Sequence, residues 1–384
     1  MPEILIVAGE ASGDLHAAHI VRGVREHRPD VRFYGIGGKD MRAAGAEILI
    51  DSAELAVVGL WEVLAHRKTI FGALERMQRL LRERRPDLIV LTDYPDFNLR
   101  LAKTAKALGI PVLYYISPQV WAWREGRVRT IRERVDMMAV VFPFEADFYR
   151  RHGVPVRYVG HPLITEERPL EGDRAAIRES FGLGDTDRVL GLYPGSRRSE
   201  VRRLLPVILA TAEQIRKTLP DVKFLLPLAS TLSETDLEPW QAEIRNLDIP
   251  VIRDRTPEVT VACDAIVTVS GTVTLEIALA TTPMVIINKL AWLTWQIVRR
   301  MVKLEHVGLC NIVAGERLVP ERLQHEATPE RIAADLLPML EDENVNREYR
   351  QQLARVRDIL GTPPEDGDIV ALTLAMLERG NKST

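Results

Sequence analysis

Short apolar runs alternate along most of the chain with longer stretches whose apolar residues recur three and four positions apart. ILIVAG leads into LHAAHIVRGVREH, VRFYGIGG follows, and FGALERMQRLLRERRP precedes DLIVLTDYP, LRLAKTAKALG, IPVLYYISP and MMAVVFPFE. Near-continuous apolar runs predict strands covered on both faces, and the helical periodicity between them predicts crossover helices. Repeated β-α-β order specifies an α/β fold built on a parallel, doubly wound sheet, with ligands bound beyond the carboxyl ends of its strands. After Gly160-His161-Pro162 the alternation pauses over a polar, charged segment reaching about Asp187, where the inter-domain linker is expected. It resumes in VLGLYPG, VKFLLPLA, IPVIRD, DAIVTVSG and PMVIIN as a second sheet of the same kind. The expected architecture is two Rossmann-like domains facing a central cleft, at 1–165 and 166–360, with a terminal helix in 361–384 able to pack back on the first domain.

Composition supports this division. A chain of 384 residues with 46% hydrophobic content buries enough surface for two cores. A net charge of −3 argues against general nucleic-acid binding, yet arginines cluster at Arg79 to Arg85, Arg124 to Arg134 and Arg197 to Arg203. Local basic sites on a near-neutral chain fit phosphate ligands or an anionic membrane surface. Cys263, placed in an apolar strand, and Cys310 have no metal-like spacing and give no disulfide framework, which fits a reducing cytoplasm. The first strand, EILIVAG, begins without the pattern of a secretory signal. Ala265 to Ile287 carries one charge, Glu276, so hydropathy alone would make it span a membrane; Ser270-Gly271-Thr272 and Pro283 divide it instead into strand, helix and strand.

Two segments present a strand, a small-residue turn and a helix start. DAIVTVSGTVTLE places Ser270, Gly271 and Thr272 where free helix-terminal amides favour a diphosphate, with Glu276 further on for ribose hydroxyls. VLGLYPGSR repeats the device with Gly195 and Ser196 and adds Arg197, whose guanidinium matches phosphate oxygens. In the first domain, AGEASGD supplies Glu10, Ser12 and Asp14 at a strand end; Asp14 reads as a cap. DLIVLTDYP ends near Asp93, Asp96 and Asn98, and one of these carboxylates is a candidate base for a sugar hydroxyl. YISPQVWAW brings Gln119, Trp121 and Trp123 to another strand end, as sugar-stacking or core residues. His161 reads as a structural hydrogen-bonding residue. Asp185-Thr186-Asp187 precedes a strand and reads as a turn, so no metal site and no cofactor are expected. Val57 to Arg85, containing Trp61, and Leu290 to Lys303, containing Trp292 and Trp295, mix apolar residues with cations in the manner of interfacial helices.

The strings AGEASGD, GIGG, DYPDFN, SPQVWAW, FPFEADFY, VGHPL, PGSR, SGTVTLE, PMVI and VPERLQ, in this order from about Ile4 to Leu340, resemble the lipid-A-disaccharide synthases. SPQVWAW and DYPDFN are specific to that family, whereas SGT followed by Glu occurs across nucleotide-sugar enzymes of the GT-B fold. The resemblance implies an inverting glycosyltransferase that moves 2,3-diacylglucosamine from its UDP derivative to the 6-hydroxyl of 2,3-diacylglucosamine 1-phosphate. It implies Asp96 as base, Glu10 and Ser12 near the reacting sugars, Gln119 lining the cleft and Arg197 at the departing UDP. Ser270, Gly271 and Thr272 would hold phosphates, with Gly195 and Ser196 beside them, Glu276 would hold the ribose, and Asn311 would close the nucleotide pocket. Leu309-Cys310-Asn311 departs from the family's Leu-Pro-Asn. Acylated substrates imply peripheral attachment to anionic lipid on the cytoplasmic face of the inner membrane, through Trp61, Trp292 and Trp295. A homodimer stays open. So do two other readings: another GT-B nucleotide-sugar enzyme, such as a UDP-N-acetylglucosamine epimerase, and a non-catalytic UDP or lipid sensor.

Overall fold

The computed structural model describes residues 1–54, 67–123, 125–165, 174–290, 295, 305–361 and 367–381. The chain divides into two compact units, Met1–Thr165 with Thr362–Thr384, and Glu166–Gly361.

The first unit is built on a parallel sheet in the order β3-β2-β1-β4-β5-β6-β7. Its strands are β1 (Glu3–Ala8), β2 (Arg32–Gly37), β3 (Glu47–Asp51), β4 (Leu88–Thr92), β5 (Val112–Tyr115), β6 (Met137–Val140) and β7 (Val156–Tyr158). Its helices include α1 (Ala11–His27), α2 (Lys39–Ala43), α3 (Arg67–Arg84), α4 (Pro95–Ala107), α5 (Val120–Trp123), α6 (Val128–Arg134) and α7 (Pro143–Arg151). The central strands β1 and β4 are apolar and almost wholly buried, as a strand covered on both faces must be. The edge strands β3 and β7 are only half-buried; β7 is three residues long, and β3 carries no more of an apolar run than Ile48-Leu49-Ile50, so both escape the sequence pattern.

The second unit repeats the plan with order β10-β9-β8-β11-β12-β13. Its strands are β8 (Val189–Tyr193), β9 (Lys223–Leu228), β10 (Val251–Arg253), β11 (Ala265–Val269), β12 (Met284–Asn288) and β13 (Glu321–Leu323). Around them lie α8 (Arg174–Ser180), α9 (Arg198–Thr218), α10 (Thr256–Ala262), α11 (Val273–Leu279), α12 (Leu309–Ala314), α13 (Pro329–Glu341) and α14 (Glu343–Leu360). The apolar stretch Ala265 to Ile287 is β11, α11 and the start of β12, and no described helix is long and apolar enough to cross a membrane. The last helix, α15 (Ile369–Asn381), packs on α1, β4 and β5 of the first unit.

Two expectations change. The segment read as linker up to Asp187 contains α8, which packs on α10. Arg178 of α8 is 1% exposed and donates to Ala262 O at 3.3 Å, while Arg174 donates to Val261 O at 3.0 Å and to Asp264 Oδ1 at 2.6 Å. Cations thus satisfy the carbonyl end of α10, where the helix dipole favours positive charge. Cys263 lies at that same helix end, as the C-cap of α10, rather than in a strand; burial pushes its thiol far up from its ordinary value.

Candidate functional site

Both sheets have the strand order in which connections reverse direction beside the first strand, leaving a crevice at the carboxyl ends of two neighbouring strands. In the second unit those neighbours are β8 and β11, with Tyr193 registered against Thr268. A cavity of about 340 Å³ opens at their ends, lined by Gly195, Ser196, Arg197, Ser270, Gly271, Thr272 and Glu276, together with Tyr193, Glu200 and Thr256. Seven residues singled out from sequence therefore share one wall.

The details revise the expected chemistry. Gly195 has φ +101°, and a Cβ there would meet Glu200 Oε2 at 2.4 Å, so glycine is required. Glu200, missed from sequence, accepts from Ser196 N at 3.1 Å and Arg197 N at 3.3 Å, and pairs with Arg197 Nη1 at 3.3 Å. Glu200 at the third position of α9 reaches back to the amide of the N-cap Arg197, the glutamate half of a capping box; arginine has no acceptor to supply the other half, so the sequence lacked the usual Ser/Thr signal. The amide of Ser270 is not free either: it donates to Ile287 O at 3.2 Å, while its hydroxyl donates to Val307 O at 2.8 Å. Gly271 and Thr272 are exposed on the cavity wall, and open space surrounds the place where a Gly271 Cβ would stand.

Asn311 is off that wall. It is 0% exposed, donates to Val319 O at 3.0 Å and Glu321 Oε1 at 2.9 Å, and accepts from Leu318 N at 2.9 Å and Val319 N at 3.1 Å. Glu321 in turn accepts from Val307 N and Gly308 N at 3.0 and 2.9 Å. The amide thus acts as a buried fastener whose network reaches the cavity through Val307 and Ser270. Cys310 occupies the second position of α12, and burial raises its thiol to about 12.

In the first unit the corresponding neighbours are β1 and β4, with Ala8 registered against Thr92. Glu10 and Ser12 are exposed where α1 begins. Opposite them the chain leaves β4 through Asp93 and Tyr94, both left-handed at φ +49° and +45°. Non-glycine residues in this region cost of the order of 1 kcal/mol each, and the Asp93 carbonyl is held by Tyr114 Oη at 2.5 Å and Asn98 Nδ2 at 2.7 Å. Asn98 is therefore a buried brace, not a rim residue. A Cβ on Gly9 would lie 2.5 Å from the Tyr94 ring, so glycine lets the two turns touch. Burial, reinforced by the Glu10 charge, raises the Asp93 carboxyl above its ordinary value. Asp96 stands in the first turn of α4, exposed, with Arg127 Nη2 at 2.5 Å from Oδ1.

The remaining candidates are mostly structural. Asp14 is 2% exposed and caps α2 instead of its own helix, accepting from Gly38 N at 2.6 Å and Asp40 N at 2.9 Å, which explains the GIGG string. Gln119 is exposed beyond β5. Trp121 is fixed by Nε1 donating to Glu145 Oε1 at 3.0 Å and by an edge contact with Phe144. Glu145 is 2% exposed, and burial raises its carboxyl to about 7. His161 accepts from Leu163 N at 3.1 Å, and Asp187 from Gly184 N at 2.8 Å within a turn. Trp61 and Trp292 lie outside the described residues, as does the Trp123 side chain; Trp295 is half-buried.

Comparison with known proteins agrees with this geometry. Residues 4–361 match the family model described as lipid-A-disaccharide synthetase. The lipid-A-disaccharide synthase of Trichlorobacter lovleyi is 53% identical over 98% of both chains, and that of Geobacter sulfurreducens 52% over 97% of both. Among solved structures, MurG of Acinetobacter baumannii superposes with a TM-score of 0.57 at 14% identity, covering 100% of both chains. A UDP-GlcNAc 2-epimerase from Neisseria meningitidis, bound to UDP-GlcNAc, gives 0.64 at 13% identity, again over 100% of both. These distant likenesses establish the GT-B fold. The near-complete family match and the half-identical relatives establish more: the chain belongs to the lipid-A-disaccharide synthase family.

Proposed function

We propose that the two crevices divide one glycosyl transfer, the second unit holding the UDP of the donor and the first supplying the base. The family's reaction moves 2,3-diacylglucosamine from UDP-2,3-diacylglucosamine to the 6-hydroxyl of 2,3-diacylglucosamine 1-phosphate, giving a β-1,6-linked disaccharide 1-phosphate and UDP. The donor is α-linked and the product β-linked, so one displacement inverts the anomeric carbon. Such a step requires a base for the incoming hydroxyl and stabilisation of the departing diphosphate.

The observation that carries the reading is the cavity at β8 and β11, where Arg197, Gly195, Ser196 and the Ser270–Thr272 turn converge. Arg197 supplies a cation for the leaving diphosphate, the amides of Gly271 and Thr272 supply donors, and Glu276 accepts from ribose hydroxyls. Ser270 shapes the turn beside them, its hydroxyl and amide already donating to Val307 O and Ile287 O. Asp96 takes the proton from the acceptor 6-hydroxyl, with Arg127 orienting its carboxylate and Glu10, Ser12 and Gln119 binding the sugars. The acyl chains favour peripheral attachment to anionic lipid on the cytoplasmic face of the inner membrane, through Trp61, Trp292 and Trp295.

The test is incubation of purified protein with both diacylated substrates in detergent and EDTA, following disaccharide and UDP by mass spectrometry. Acceptor-dependent disaccharide is expected. Failure with EDTA and again after adding Mg²⁺, alongside turnover of UDP-N-acetylglucosamine, overturns the assignment.

A further inference from the structure

Val307 precedes α12 and Gly308 is its N-cap, so their N–H groups lie outside any strand and at the open end of a helix. Each needs an acceptor from elsewhere in the chain. Glu321, 4% exposed at the start of β13, supplies it. Its Oε2 accepts from Val307 N at 3.0 Å and its Oε1 from Gly308 N at 2.9 Å, while Asn311 Nδ2 donates to the same Oε1 at 2.9 Å. A buried carboxylate is costly unless its oxygens are satisfied, and three N–H donors satisfy this one. Only an acidic side chain accepts at both oxygens; an amide of the same shape accepts at one.

The segment clasped in this way is tied at two points to the turn after β11. Ser270 Oγ donates to Val307 O at 2.8 Å, and Leu309 N donates to Thr274 Oγ1 at 3.1 Å, which itself donates to Gly271 O at 2.8 Å. The bonds therefore run from Glu321 through Val307 to Leu309 and reach the turn on both sides of Gly271 and Thr272, the residues exposed on the cavity wall. With open space around the place of a Gly271 Cβ, packing does little to hold the turn, and these bonds hold it instead. Glu321 itself is not among the described residues lining that cavity.

We propose that Glu321 is a positioning residue for nucleotide binding: without touching the nucleotide, it holds the Ser270–Thr272 turn in its binding geometry through Val307, Gly308 and the Ser270 and Thr274 hydroxyls. The inference rests on the reading of the cavity at β8 and β11 as the UDP site. When the clasp is opened the turn samples other geometries, and apparent affinity falls with the fraction of molecules in the competent one. The bonds all lie within the second unit, so the effect belongs to the donor and leaves the acceptor alone.

The experiment compares full-length wild type with Glu321→Gln, Thr274→Val and Asp264→Asn by UDP calorimetry, by steady-state kinetics with each diacylated substrate varied, and by thermal melting. Glu321→Gln keeps the shape of the side chain but turns one acceptor towards the donors as an NH₂ group. Thr274→Val cuts the Leu309 link from the other side. Asp264→Asn is the control: its carboxylate accepts from Val189 N at 2.8 Å and Arg174 Nη2 at 2.6 Å, at the amino ends of β8 and β11, away from the cavity. Glu321→Gln should raise the UDP Kd and the donor KM about tenfold, and Thr274→Val roughly three- to tenfold, with the acceptor KM unchanged in both. Asp264→Asn should melt at a lower temperature yet bind UDP within about twofold of wild type. A donor effect without an acceptor effect, out of proportion to the change in melting, separates positioning from a general loss of stability. Equal losses of UDP affinity in Glu321→Gln and Asp264→Asn overturn the inference, as does wild-type affinity in Glu321→Gln. If Glu321→Gln does not fold, Thr274→Val decides alone, and wild-type affinity there overturns the inference. Failure of wild type to bind UDP overturns the reading of the cavity itself.

Discussion

The crevice at β1 and β4 and the crevice at β8 and β11 occupy the same topological position and carry different chemistry. The first gathers carboxylates, Glu10, Asp93 and Asp96, around turns strained at Asp93 and Tyr94. The second gathers a glycine turn, backbone amides and Arg197. Strand order decides where a doubly wound domain binds, but the few residues beyond the strand ends decide what it binds. A displacement reaction needs both characters, since one partner loses a proton as the other gains negative charge.

The sharpest break of this comparison is Asp96→Asn. It should lower turnover about 10²–10⁴-fold and leave UDP affinity unchanged, read by steady-state kinetics beside UDP calorimetry. Arg197→Ala should instead weaken UDP binding and rate together, by about 1.5–3 kcal/mol, or roughly 10- to 150-fold. Matching profiles for the two variants would remove the division of labour.

A different readout, stability rather than turnover, tests the buried carboxyl that anchors Trp121 in the first unit. The buried Glu145 carboxyl keeps its proton in the folded protein up to about pH 7, whereas in the unfolded chain it ionises near 4.5. The folded state binds more protons in that window, so stability falls as pH rises from 4.5 to 7 and levels above it. Glu145→Gln removes this slope, gaining up to about 3 kcal/mol on wild type across the window, as denaturant titrations at pH 5 and 8 should record. Smallest is Gly195→Ala, which must hold alanine at φ +101° against Glu200. It should cost about 1–2 kcal/mol of stability in the second unit, with a matching loss of UDP affinity.

The central strands and both crevices were legible because an apolar run followed by small or charged residues is a local signal. ILIVAG and DAIVTVSG carry their own positions. The strands β7 and β13, three residues each, were not legible because so short a strand needs no apolar run; β3, with Ile48-Leu49-Ile50, offered a brief one that stood below the longer runs of the central strands. Partners distant in sequence were also hidden. Asp14 read as a cap, but its recipient helix begins 25 residues later, at Lys39. Asn311 read as a pocket residue from the family resemblance, while its bonds depend on a loop that folds over it. Arg127 belonged to a recognised cluster, yet its pairing with Asp96 depends on how α6 meets α4.

Glu200 gives the second crevice an unusual resting state. Its carboxylate already holds the Ser196 and Arg197 amides and the Arg197 guanidinium, at distances of 3.1 to 3.3 Å. If a donor diphosphate takes these groups, as proposed, nucleotide entry would be an exchange of anions rather than an addition. Affinity measured there would then be a difference between two anions competing for one set of donors. By the same proposal the exchange would run in reverse after transfer, the carboxylate returning to its donors as UDP leaves.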